Sequence, residues 1–196
     1  MKNLNLNRRN FLWKSIACSV CFTSSTFITD VLASGKNKTR EEILNELDQK
    51  VEELMPLYRN CAQTSFGVLN DQFKLKAKKM IRGLKPFPGM ALRGETCGAV
   101  TGSVLAIGLF FEPPKQTDLA QQTDTMNHAY TFCTAFEKEF GSTMCKGVQK
   151  HQYGKSYDLR IEEEWAEFVK AAASGGCMDV VKKSVRFAGE IIIDNS

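Results

Sequence analysis

The chain has 196 residues, 43% of them hydrophobic and 24% charged, enough apolar material for one globular domain with its own core. Its formal charge is +4, but Lys2, Arg8, Arg9 and Lys14 crowd into the first 34 residues against Asp30 alone. The body is left close to neutral and offers no field for nucleic acid, so that class of partner is excluded.

The first segment has the composition of a leader. Asn7-Arg8-Arg9-Asn10-Phe11-Leu12-Trp13-Lys14 resembles the twin-arginine export motif, departing from it at Asn7 and in the Trp13 spacer. Ser15 to Thr29 is uncharged, and too polar and short for a membrane span of about 20 apolar residues. Val31-Leu32-Ala33 suits a signal peptidase, which gives a signal peptide over 1–33 and export to the periplasm or cell envelope. Contact with a membrane is expected only through the leader, if it is left uncut. Of seven cysteines, Cys18 and Cys21 fall inside this leader. Phe22 follows them where covalent haem attachment would need His, so they carry no site.

After a polar linker, Thr39 and Glu42 form a capping-box pattern that starts a helix with Ile43, Leu47, Val51 and Leu54 on one face, running to a break or kink at Pro56. A second helical stretch carries Tyr58, Cys61, Ala62, Ser65, Phe66 and Leu69. Lys74, Lys76, Lys78, Lys79 and Arg82 follow as a solvated basic face. Pro86, Pro88 and Gly89 then turn the chain into the run on which the rest is organised.

That run, Arg93 to Phe111, begins polar and glycine-marked and ends almost without charge. Thr96 is the expected N-cap, which puts Cys97 in the first turn, where the helix dipole favours a thiolate. Gly98 and Gly102 stand four apart on one face, so a second backbone or a cofactor can come close there. The helix has no polar stripe and belongs in the core.

Pro113-Pro114 stop it. Residues 118–140 keep helical spacing through Met126, Ala129, Tyr130, Cys133, Phe136 and Phe140. Gly141 to Cys145 turn into a short helix, His151 to Ser156 form a loop, and Ile161 to Ala173 are helical behind the acidic first turn Glu162-Glu163-Glu164. Gly175-Gly176-Cys177 open the last helix, with Val180, Val181, Val185 and Ala188 inward. Ile191-Ile192-Ile193 is the one short β-like run. The expected fold is all-α: a single domain over 39–193 of six or seven short helices.

Cys97, Cys145 and Cys177 each follow glycine near a helix start. Converging helix N-termini present N–H groups and dipole ends to thiolates or an anion. The spacing therefore predicts a site at which Cys61, Cys97, Cys145 and Cys177 gather, with Cys133 apart on its own helix.

Cys97-Gly98-Ala99-Val100-Thr101-Gly102 resembles the C-G-A-x-x-G motif of a redox-active four-cysteine family, whose order of one Cys, the motif and two more Cys maps onto Cys61, Cys97, Cys145 and Cys177. The likeness extends from about residue 58 to 190 and includes Asn60-Cys61-Ala62-Gln63 and Arg93-Gly94-Glu95-Thr96. It implies a redox-active protein and a relation to the domain of split-Soret cytochromes. No Cys-x-x-Cys-His is present, so no covalent haem is expected, and His128 and His151 read as a helix-face and a loop residue.

The first functional expectation is electron transfer by an iron–sulfur cluster on Cys61, Cys97, Cys145 and Cys177, with Gly98 and Gly102 giving it room. Twin-arginine export, which carries folded proteins, agrees with a cofactor. The alternatives are a metal-free thiol–disulfide protein with Cys97 as attacking thiolate, a helical binding module stapled by disulfides, and structural zinc. The partner in either redox reading is another redox protein, and a homo-oligomer is compatible with the chain.

Overall fold

The computed structural model describes residues 38–112 and 117–196. The leader, Cys18, Cys21, the arginine pair and Pro113-Pro114 lie outside the described residues. Lys38–Ser196 forms one compact unit, and among the described residues it contains nine helices and no strand.

Helix α1 (Arg40–Tyr58) starts on the expected capping box: the Thr39 hydroxyl accepts the Glu42 N–H at 3.2 Å and the Glu42 carboxylate accepts the Thr39 N–H at 2.7 Å. Leu44, Leu47 and Val51 are its buried face. Pro56 does not break it. A proline removes only the bond its own N–H would make, and the helix runs on to Tyr58 before left-handed Arg59 (φ 50°) closes it. Tyr58 thus ends α1 instead of opening the next helix.

Helix α2 (Cys61–Gln72) is capped by Asn60, whose side-chain oxygen accepts the Gln63 N–H at 3.0 Å and whose amide donates to the Lys85 carbonyl at 2.9 Å. Every residue from Thr64 to Asn70 is buried. The basic segment around α3 (Lys78–Gly83) is solvated, with Lys74, Lys76, Lys78, Lys79 and Arg82 all exposed. One turn, α4 (Gly89–Leu92), follows, with Met90 and Ala91 in the left-handed region.

The central helix α5 (Gly98–Phe110) has Cys97 as its N-cap, not Thr96. The reason is a local pairing: Thr96 bridges Met144 in antiparallel fashion, the Cys97 N–H reaching the Thr143 carbonyl at 2.9 Å and the Cys145 N–H the Glu95 carbonyl at 2.6 Å. Held extended by that bridge, the chain can turn helical only one residue later. Ala99, Val100, Ser103, Ala106 and Ile107 are buried, as a helix without a polar stripe requires.

Helix α6 (Leu119–Phe140) is capped by Asp118 and stopped by left-handed Gly141. It buries Phe132, Phe136 and Phe140, but Met126 and Tyr130 are 68% and 74% exposed, contrary to the expected inward face. The inward stripe runs through Ala129, Phe132, Phe136 and Phe140, with Thr125 and His128 resting on Phe111, and Met126 and Tyr130 lie to one side of it. Helix α7 (Cys145–Tyr153) takes in His151 to Tyr153, which had the look of loop, and ends at left-handed Gly154.

Helix α8 (Glu162–Ala172) has its acidic first turn and no buried residue. Helix α9 (Gly176–Asp194) buries Val180, Val181, Val185 and Ala188, and it absorbs the β-like Ile191-Ile192-Ile193 because Ile192 falls on the same inward stripe. The core is α2 and α5 with α1, α6 and α9 packed round them. The Ser184 hydroxyl joins α9 to α5, donating to the Ala99 carbonyl at 3.0 Å, with the Ser103 hydroxyl also at 3.0 Å from it.

Two glycines set the α2–α5 distance. A Cβ on Gly98 would meet the Cys61 sulfur and the Ala62 nitrogen, and one on Gly102 would strike the Ala62 carbonyl, with Ser65 Cβ at 3.0 Å and the Phe66 nitrogen at 3.1 Å. Backbone cannot swing aside. Gly102→Ala is therefore expected to destabilise the protein by about 1–3 kcal/mol. Gly108→Ala, on the same helix but facing open space, should stabilise it by about 0.5–1 kcal/mol. Denaturant unfolding of the two variants checks both signs, and equal signs would refute the contact.

Candidate functional site: a four-cysteine cluster at helix N-termini

Four helices begin at the same end of the core, each with a cysteine at its start. Cys61 is the first residue of α2, Cys97 the N-cap of α5, Cys145 the first residue of α7 and Cys177 the second of α9. The four sulfurs lie within electrostatic reach of one another: Cys61 is influenced by the other three, and Cys145 by Cys97 and Cys177. Cys133, on α6, responds only to burial and to Glu137.

The contacts that build the cluster are mostly backbone. The Thr96–Met144 bridge ties the start of α5 to the start of α7, and the Lys146 N–H adds a bond to the Gly94 carbonyl at 3.1 Å. Gly89, left-handed at φ 53°, leaves room for Cys145, whose sulfur stands 3.3 Å from where a Cβ would be. Gly98 does the same for Cys61. Gly102 faces α2 backbone; its open side is used for helix packing.

The environments divide the thiols into two kinds. Cys97 is 5% exposed, yet its thiol is held below the usual range. The neighbouring Cys61 thiol is the main cause, and the N–H groups of Ala99 and Val100 add to it against the cost of burial. Cys97 makes no conventional cap hydrogen bond; those N–H groups act on the sulfur as partial charges at the helix start. The Cys61 thiol is correspondingly pushed well up, by its bond to Cys97 first and by burial second.

Burial dominates at the other two. It pushes Cys145 up to about 12, with Cys97 and Cys177 adding and Gln149 opposing. It pushes Cys177 up to about 11, with the Tyr153 hydroxyl opposing. The Gln149 amide donates to the Cys145 sulfur and the Tyr153 hydroxyl to the Cys177 sulfur, each at 3.6 Å.

Chemically the arrangement can hold one thiolate beside a thiol donor. Among the described residues no three His, Cys, Asp or Glu side chains are grouped so that they could hold a metal ion. His128 stacks on Phe111 with ring centres 4.0 Å apart and is 3.6 Å from Asp124, and His151 meets Phe140 edge-on.

Several site residues escaped the sequence reading. Asn60, a strong capping type three before Gln63, was the available signal that Cys61 also starts a helix. Gln149 and Tyr153 lie four and eight residues after Cys145, a spacing visible only once α7 is carried past His151.

The family model described as "Putative redox-active protein (C_GCAxxG_C_C)" matches residues 59–191. The chain belongs to that family. The matched region spans all four site cysteines. Beside the pattern in the family's printed description, this chain has Cys97 and Gly98 in the opposite order before Ala99. No curated protein and no solved structure matches the chain. No helix among the described residues is long and apolar enough to cross a membrane.

The sign of the pH dependence follows from the directions above. A lowered folded value at Cys97 gives stability that is present above the ordinary thiol pKa of about 8.5 and lost as pH falls through the folded value. Raised values at Cys61, Cys145 and Cys177 give stability that is present below it and lost as pH rises. As pH is raised, the first thiol of the reduced protein to ionise should therefore do so below the ordinary range, an absorption step removed by Cys97→Ser and kept in Cys133→Ser. A first step left in place by Cys97→Ser would contradict the assignment.

Proposed function

We propose that this protein is a thiol–disulfide redox carrier in which Cys61 and Cys97 exchange two electrons with a partner disulfide. The observation that carries the reading is the Cys61 sulfur packed against Gly98, the residue after Cys97, at the α2–α5 contact, where the two thiols act on each other and the helix N–H groups favour a thiolate on Cys97 alone. Membership in a redox-active family supports it.

The Cys97 thiolate attacks one sulfur of the partner disulfide, and the other partner sulfur leaves as a thiolate. The Cys61 sulfur then attacks Cys97, the second partner sulfur is released, and the Cys61 proton passes to a departing thiolate. One protein S–S bond forms and one partner S–S bond breaks. The protein dithiol is oxidised by two electrons and the partner is reduced by two. Buried Cys97 needs the partner to come in over the rim, where Cys61, Cys145 and Cys177 are half-buried residues.

A second reading, electron transfer by a four-thiolate iron–sulfur cluster, is supported by the donor set: four cysteines at converging helix starts. In either case the protein is proposed to act in the periplasm or cell envelope after twin-arginine export, on the strength of Arg8-Arg9-Asn10-Phe11-Leu12.

Glutathione redox titration of protein purified without oxygen, with iron and sulfide analysis, separates the readings. The expected result is a reversible disulfide in wild type and in Cys133→Ser, lost in Cys61→Ser and in Cys97→Ser, with neither iron nor sulfide. Stoichiometric iron and sulfide, removed by substituting any of the four cysteines, would replace the carrier by the cluster. For export, envelope protein undiminished after Arg8 and Arg9 are both changed to Lys would contradict the leader's reading.

A further inference from the structure

Helix α7 does more than carry Cys145. Cys145, Gln149 and Tyr153 are spaced i, i+4, i+8, so they share one face of the helix. The second and third each aim a donor at a site sulfur, Gln149 at Cys145 and Tyr153 at Cys177.

Both donors are fixed from behind. Gln149 is 2% exposed, and its side-chain oxygen accepts the Tyr157 N–H at 2.8 Å, which leaves the amide N–H₂ pointing at sulfur. The Tyr153 ring sits edge-on against Tyr157 and Phe168, with centres 6.2 and 5.8 Å away. Its hydroxyl fills the notch that Gly176 leaves at the start of α9: a Cβ there would collide with that oxygen, and with the ring at 2.6 Å. A buried glycine beside Cys177 and a tyrosine two helices earlier thus form one fitting.

We propose that Gln149 and Tyr153 are positioning residues that hold Cys145 and Cys177 as thiols, outside the Cys61–Cys97 exchange, by donating hydrogen bonds to their sulfurs. The inference rests on the redox reading of the site given above. A thiol or thiolate sulfur is a better acceptor than a disulfide sulfur, so a fixed donor stabilises Cys145 or Cys177 in its reduced state and makes any bridge through it harder to form. Both residues stand where donor geometry, not packing volume, distinguishes them from an apolar side chain of similar size.

Tyr153→Phe is the decisive variant, since it keeps the ring contacts and removes only the O–H. Wild type and variant are equilibrated in glutathione buffers, and the oxidised fraction at each cysteine is read by trapping and peptide mass spectrometry. The expected shift is about tenfold in the equilibrium constant toward oxidation at Cys177, or about 30 mV more negative for that sulfur, with the Cys61–Cys97 couple unmoved. Gly176→Ala, which displaces the hydroxyl, should move the potential in the same direction; Gln149→Met should do so at Cys145. Unchanged oxidation at Cys177 in Tyr153→Phe, with folding intact, overturns the proposal.

If no wild-type cysteine exchanges with glutathione, the thiol reading fails separately. The S–H infrared band of reduced Cys177, assigned with Cys177→Ser, then decides the donor's role. The band should move in Tyr153→Phe, and a fixed band overturns the proposal.

Discussion

The approach of α2 to α5 at Gly98 and Gly102 is the constraint on which the rest depends. At both places the partner is backbone of Ala62 or its neighbours, so the separation is fixed by what a side chain would exclude. The same contact that packs the core sets Cys61, at the start of one helix, beside Cys97, at the start of the other. Core and site are therefore not separable here: a methyl group that pushed the helices apart would also part the sulfurs. The Ser184 hydroxyl on the Ala99 carbonyl holds the third helix, α9, to the same turn and brings Cys177 with it.

Two opposing effects act on every thiol of the cluster. Burial penalises the anion, while a helix N-terminus and nearby donors favour it. At Cys145 and Cys177 burial wins, because each has one external donor and like neighbours. At Cys97 the balance reverses, because a second thiol and two N–H groups act together on the sulfur. A helix start alone does not make a reactive cysteine; of the four in one place, only Cys97 has its thiol lowered. That asymmetry suits a pair in which one sulfur attacks and its neighbour resolves.

The all-α fold, the buried α5 and the inward stripe of α9 were legible, since each rests on an apolar pattern long enough to be unambiguous. The capping box on Thr39 and Glu42 was legible for the same local reason. The N-cap of α5 was not. Thr96 has the better capping side chain, and only its pairing with Met144, nearly fifty residues away, moves the cap to Cys97. Met126 and Tyr130 are apolar but stand about 80° and 120° round α6 from Phe136, so they lie beside the stripe of Phe132, Phe136 and Phe140 and not on it. In the site, glycine-marked Cys97, Cys145 and Cys177 stood out, whereas the donors Gln149 and Tyr153 did not. Their role comes from a tertiary meeting of α7 with α9 that no local pattern encodes.

The central claim is that Cys61 and Cys97 are the redox pair, and mapping the bridge tests it most directly. Reduced protein is oxidised with a stoichiometric disulfide, remaining thiols are blocked, and the linked peptides are identified by mass spectrometry. The account requires a Cys61–Cys97 bridge as the first and dominant product, with Cys133 fully blocked as a thiol. A dominant bridge that leaves Cys97 free, such as Cys145–Cys177, would contradict it.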